Sequence, residues 1–99
     1  MKENRHHEFE FTVDVNHPCI EGHFPDNPIV PAVVLLDQVL TGIDRVWSCQ
    51  PRHLSQAKFL RPLVPGERAT VCLERDATRI RFSAKSGAEL LFNGSFLLS

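Results

Sequence analysis

The run PAVVLLDQVLTGIDRV, Pro31 to Val46, constrains the fold of this 99-residue chain more than any other stretch. Val33, Leu35, Leu36, Val39, Leu40, Ile43 and Val46 recur at helical spacing and cover most of the circumference. A helix that is apolar on nearly every face has to be surrounded by other elements. Pro31 suits the first helical position, where its missing N–H costs nothing. Gly42 costs about 1 kcal/mol relative to alanine inside a helix, so its presence marks the close approach of another backbone. A chain this short builds a modest core, and pairing with a second copy would add cover to such a helix.

The elements that can surround it are strands. Phe9, Phe11, Val13 and Val15 alternate with Glu8, Glu10, Thr12 and Asp14, the pattern of a half-buried strand. Asn16-His17-Pro18 ends it, and the polar start 1–7 is expected to be a flexible N-terminus. After the helix and a loop through Cys49-Gln50-Pro51, a strand is expected from Leu54 to Leu63. Val64-Pro65-Gly66-Glu67 has proline and glycine where a type II turn wants them. Ala69 to Arg75 is the next strand, with Val71 and Leu73 on one face. Ile80, Phe82 and Ala84 alternate with Arg79, Arg81 and Ser83 in a third. A final strand puts Leu90, Phe92, Phe96 and Leu98 on one face, with Leu91 and Leu97 on the other. Segregated helical and strand patterns predict an α+β domain with an antiparallel sheet, a single domain over residues 1–99.

Charge and cysteine content exclude several classes. A net charge of −1 gives no reason to expect nucleic acid. No apolar run reaches membrane-spanning length and the start MKENRHHEFEF lacks the apolar core of a signal peptide, so a cytoplasmic location without a membrane span is expected. Three cysteines with no Cys-x-x-Cys suit reduced thiols rather than a disulfide framework. The five histidines, His6, His7, His17, His23 and His53, show no metal-ligand spacing, and no metal is expected.

The chemistry concentrates just ahead of the helix. Pro25, Pro28 and Pro31 make His23 to Val30 an extended, stiff loop. His23 precedes Asp37 by fourteen residues. An imidazole that titrates near neutrality can take a proton. Asp37 can give one if an apolar pocket raises its pKa. The plainer readings are a loop histidine bonded to backbone and, because Gln38, Thr41, Asp44 and Arg45 share its arc of the helix, an aspartate on a solvated stripe. Cys19, beside His17 and His23, reads as a small buried thiol rather than a nucleophile.

Gly22-His23-Phe24-Pro25, Pro28, Pro31 and Asp37 resemble the active-site segment of the 3-hydroxyacyl-[acyl carrier protein] dehydratases, roughly G-H-F-P-x-x-P-x-x-P-G-x-x-x-x-(D/E). A second piece, Lys58-Phe59-Leu60-Arg61-Pro62-Leu63-Val64-Pro65-Gly66-Glu67, is similar to that family's K-F-x-R-P-V-x-P-G-D strand and turn. The short chain looks like the members found with aryl-polyene pathways. The resemblance implies a hot-dog fold, an antiparallel sheet wrapped around one long central helix. It also implies loss of water from a 3-hydroxyacyl thioester on acyl carrier protein or CoA, with no cofactor of its own. His23 and Asp37 would be catalytic, the Ala32 N–H would hold the thioester carbonyl, and Phe24, Pro31 and Thr41 would line the substrate. Ala32 replaces the family glycine and Thr41 replaces a glutamine. The resemblance implies a homodimer with active sites at the subunit interface. Arg45, Arg52, Lys58, Arg61 and Arg68 are available to meet an acidic carrier protein. The rival readings are a thioesterase on the same fold, with Asp37 activating water, and a non-catalytic homologue that binds an acyl chain or a partner subunit.

Overall fold

The computed structural model describes residues 5–14 and 29–98. Strand β1 (His6–Thr12) precedes helix α1 (Ala32–Trp47), and four strands follow: β2 (His53–Phe59), β3 (Arg68–Arg75), β4 (Arg79–Ser86) and β5 (Glu89–Leu97). They form one antiparallel sheet in the order β1-β3-β4-β5-β2.

Alternation fixes the register, because a slip by one residue would turn every apolar side chain outward. Phe9, Val71, Ala84, Phe92 and Phe59 lie in one row across all five strands. Ile80 pairs with Phe96 and Leu73 with Phe82 in neighbouring rows. This face packs on α1 through Leu35, Val39, Gly42 and Ile43, a single stripe at helical spacing. Gly42 is explained by Phe9 rather than by a backbone, because a Cβ there would overlap the Phe9 ring.

Several boundaries depart from the sequence reading. β1 begins at His6, so His6 and His7 are paired with Glu74 and Leu73 rather than frayed. Polar side chains tolerate an exposed edge strand, and the backbone ladder does not need apolar ones. Pro31 is the N-cap, not the first helical residue: its φ of −61° suits a helix, but its ψ of 148° is extended. β2 stops at Phe59 instead of Leu63, because the Leu60 and Arg61 amides both turn to the Leu91 carbonyl and Pro62 has no amide to donate. Leu91 is the extra residue of a bulge in β5, opposite the step from Ala84 to Lys85 on β4, and it enters the core beside Phe92. The turn at Val64–Glu67 is as expected: the Glu67 amide donates to the Val64 carbonyl at 3.1 Å and Gly66 has φ +88°.

The helix is not buried all round. Val34, Leu36, Leu40 and Val46 are half-buried and Val33 is 73% exposed. A single sheet covers one side of a helix, and no second layer lies among the described residues. β2 is an edge strand with Leu54 and Phe59 both exposed. Apolar surface is therefore left open on the helix and along the neighbouring sheet edge.

Candidate active site

His23 and Phe24 lie outside the described residues, as do Cys19 and His17. The remaining site residues sit on the first three turns of α1. Asp37 projects from the exposed side of the helix into a groove of about 490 Å³. Val33, Val34, Leu36 and Leu40 form its helical wall, and Pro51, Arg52, Leu54 and Phe96 form the opposite wall. The groove is thus mainly apolar with one acid, one amide from Gln38 and one guanidinium. In the single chain Asp37 is solvent-exposed. A carboxylic acid that keeps its proton near neutrality needs dry surroundings, and these require a further layer over the groove.

Ala32 occupies a second concavity, of about 270 Å³, with Val30, Leu35, Phe59, Leu60 and Pro62. The Pro31 carbonyl accepts from the Val34 and Leu35 amides, at 3.0 and 3.2 Å, in the first helical bonds. The Ala32 N–H lies ahead of these bonds, at the positive end of the helix dipole. Half-buried Pro31 sets this end of the helix. Five residues of helix separate Ala32 from Asp37 by about 140° of rotation, so the structure does not bring these two into one concavity. Thr41 is not in the Asp37 groove: its hydroxyl donates to the Asp37 carbonyl at 2.9 Å and is used within the helix.

Of the five cations considered for a carrier protein, Arg52 lines the Asp37 groove. Arg61 is engaged elsewhere. It makes a forked pair with Glu67, Nη2 to Oε2 at 2.6 Å and Nη1 to Oε1 at 3.1 Å, and its Nε lies 2.9 Å from Glu89 Oε1. The fork from Arg61, with the Ser86 hydroxyl donating to Glu67 at 2.7 Å, lowers the Glu67 pKa to about 2. The sequence offers Arg61 as a cation for a carrier protein; the acid six residues on, at the end of a tight turn, is the local signal of the partner it has in the fold.

Cys49 and Cys72 are free and half-buried. The Cys72 thiol donates to Glu8 at 3.2 Å, and that carboxylate pushes its pKa up, away from the reactive thiolate. Among the described residues no group of three or more His, Cys, Asp or Glu side chains could hold a metal ion, and no helix is long and apolar enough to cross a membrane.

One apolar helix laid on an antiparallel sheet is the hot-dog arrangement. A component of the dehydratase heterocomplex ApeI:P from Xenorhabdus doucetiae superposes with a TM-score of 0.84 at 20% identity, covering 98% of this chain and 90% of that one. An uncharacterized protein from Erwinia carotovora subsp. atroseptica gives 0.81 at 24% identity, covering 97% and 86%. By sequence, residues 1–95 match the ApeI-like family model, described as ApeI dehydratase, and the chain belongs to that family. The 3-hydroxyacyl-[acyl-carrier-protein] dehydratase FabZ of Klebsiella pneumoniae is 33% identical over 90 residues, 80% of this chain and 60% of the relative. FabZ of Histophilus somni is 31% identical over 86 residues, 76% and 56%. The chain thus spans a little over half the length of the curated relatives it matches.

Proposed function

We propose that this chain removes water from a 3-hydroxyacyl thioester carried on acyl carrier protein, giving the trans-2-enoyl thioester. The observation that carries this reading is Asp37, an acid set into an otherwise largely apolar groove of about 490 Å³. Kinship with the dehydratase FabZ supports the same reaction. In the proposed step the His23 imidazole takes the proton from C2. The electron pair left there forms the C2–C3 double bond as the C3–O bond breaks, and Asp37 delivers a proton to the departing hydroxyl, which leaves as water. The Ala32 N–H of the copy that supplies His23 stabilises the negative charge that develops on the thioester oxygen, while Asp37 reaches the same substrate from the other copy. Return of the proton from imidazolium to carboxylate resets the site, and no cofactor takes part.

A second copy of the chain completes this site in our reading. Val33 and the half-buried Val34, Leu36 and Leu40 leave the Asp37 side of the helix without a dry cover, and β2 presents an open, partly apolar edge. A homodimer would close both and supply the apolar surroundings a proton-donating Asp37 requires. The Xenorhabdus neighbour is part of a heterocomplex, which makes a related, non-identical chain the competing partner.

The experiment is intact-mass analysis of carrier protein loaded with a 3-hydroxyacyl group, with and without the enzyme. Loss of the mass of one water is expected. Loss of the whole acyl group would establish a thioesterase instead, and no mass change would leave a binding protein.

A further inference from the structure

The segment from Leu60 to Glu67 belongs to no strand, yet it ties three parts of the fold together. The Leu60 and Arg61 amides donate to the Leu91 carbonyl at 2.8 and 3.3 Å, and the Gly66 amide donates to the Val13 carbonyl at 2.8 Å. The Leu63 carbonyl accepts from the Val30 amide, also at 2.8 Å. Val30 adjoins Pro31, the cap from which the helix starts. Whatever fixes the Leu63 carbonyl therefore fixes the approach of the chain into α1 and the direction of the Ala32 N–H.

A segment without a ladder of its own needs another restraint, and the side chains supply one. Arg61 forks onto Glu67 within the segment and reaches Glu89 at the start of β5 through Nε. Its Nη1 also donates to the Pro62 carbonyl at 2.7 Å. Glu67 in turn accepts from the Ser86 hydroxyl at the end of β4 and from the Val64 amide at 3.3 Å. Both members of the fork are mostly shielded, at 28% and 20% side-chain exposure. That distinguishes the pair from a fully exposed ion pair, which holds little in place. Arg61 itself lines the Ala32 concavity.

We propose that Arg61 is a positioning residue for the active site: by clamping residues 60–67 to the β4–β5 turn, it holds the Leu63 carbonyl on the Val30 amide and so aims the Ala32 N–H at the substrate. The Val30 half of this proposal is independent of the reaction; the Ala32 half rests on the proposed dehydration. Without the guanidinium, Glu67 and Glu89 leave two carboxylates aimed at one spot, and their repulsion pushes residues 60–67 away from the turn.

The test is the variant Arg61→Gln, read by amide hydrogen exchange at Val30 and by kcat and KM on the loaded carrier protein. Exchange at Val30 should quicken by at least about tenfold while the β3–β4 ladder amides keep their protection. The kcat should fall by about tenfold with KM nearly unchanged, because misplacing a group that meets the transition state costs turnover. Arg61→Lys, which keeps the charge but not the fork, should fall between the two. If Val30 exchange is unchanged, or quickens only in step with the β3–β4 ladder, the clamp is merely structural and the proposal is overturned. If Arg61→Gln does not fold, Glu89→Gln at an exposed position gives the same readouts with a smaller shift in the same direction, and no shift there overturns the proposal equally. A wild-type protein without dehydratase activity would remove the proposed function, yet the exchange experiment would still decide the clamp.

Discussion

Replacing Gly42 with alanine sets two effects of known size against each other. Helix propensity favours alanine by about 1 kcal/mol. The new Cβ, however, falls on the outer end of the Phe9 ring, which packs from β1 onto the helix at this position. Overpacking of this kind costs about 1–3 kcal/mol. The ring is half-buried on an edge strand, so it can swing only partly aside, which keeps the cost near the middle of that range, about 2 kcal/mol. Net destabilisation of about 1 kcal/mol follows from these two magnitudes. In a Phe9→Ala background the ring is gone and only propensity remains, so the same substitution should stabilise by about 1 kcal/mol. The sign therefore reverses, with a coupling of about 2 kcal/mol, well above the non-additivity of distant sites. Urea unfolding of all four proteins at one fixed protein concentration measures it. Stabilisation by Gly42→Ala in the wild-type background, or additive effects of the two substitutions, would refute the argument that Phe9 is what the glycine makes room for.

Asp37→Asn should lose nearly all turnover while still binding a non-reactive substrate analogue, because size is kept and only proton donation goes; full activity would place Asp37 on a plain solvated stripe. Ala32→Gly should keep activity and accept bulkier acyl groups, since the amide remains and one methyl leaves; steady-state rates across an acyl series check this, and a large loss would contradict the role given to the amide. Glu67, at about 2 in the folded chain against 4.5 ordinarily, contributes stability that is fully present above about 4.5 and is lost as pH falls toward 2. The stability gap between wild type and Glu67→Gln, read by urea unfolding, should therefore narrow across that window, and a gap independent of pH would contradict the clamp's charge pairing.

Local pattern carried much of this fold. Alternating residues in β3 and β4 and the Pro65-Gly66 turn left little freedom, and each lies where it was expected. What periodicity could not show depends on partners distant in sequence. Leu91 reads as outward-facing until the bulge opposite Ala84 turns it in. The helix reads as buried all round because its sequence does not record that one sheet covers one side. Gly42 announces a close approach but not that Phe9 makes it. In the site, Asp37 stands out only through the motif segment that resembles the dehydratases, fourteen residues after His23, and it lines a mainly apolar groove. The sequence offers Thr41 as a substrate-lining residue and Arg61 as a cation for a carrier protein, because nothing local says that one bonds back along its helix and the other spans to Glu89.

The most direct measurement is complementation between His23→Ala and Asp37→Asn chains, each inactive alone. If one subunit provides the histidine and the other the aspartate, a two-fold dimer has two equal composite sites. With free mixing, half the dimers are hybrids, and each hybrid holds one intact site and one doubly inactive site. Co-expression should then restore about a quarter of the wild-type activity per site. No recovery in a preparation shown by native mass spectrometry to contain hybrids would contradict a site shared between two copies.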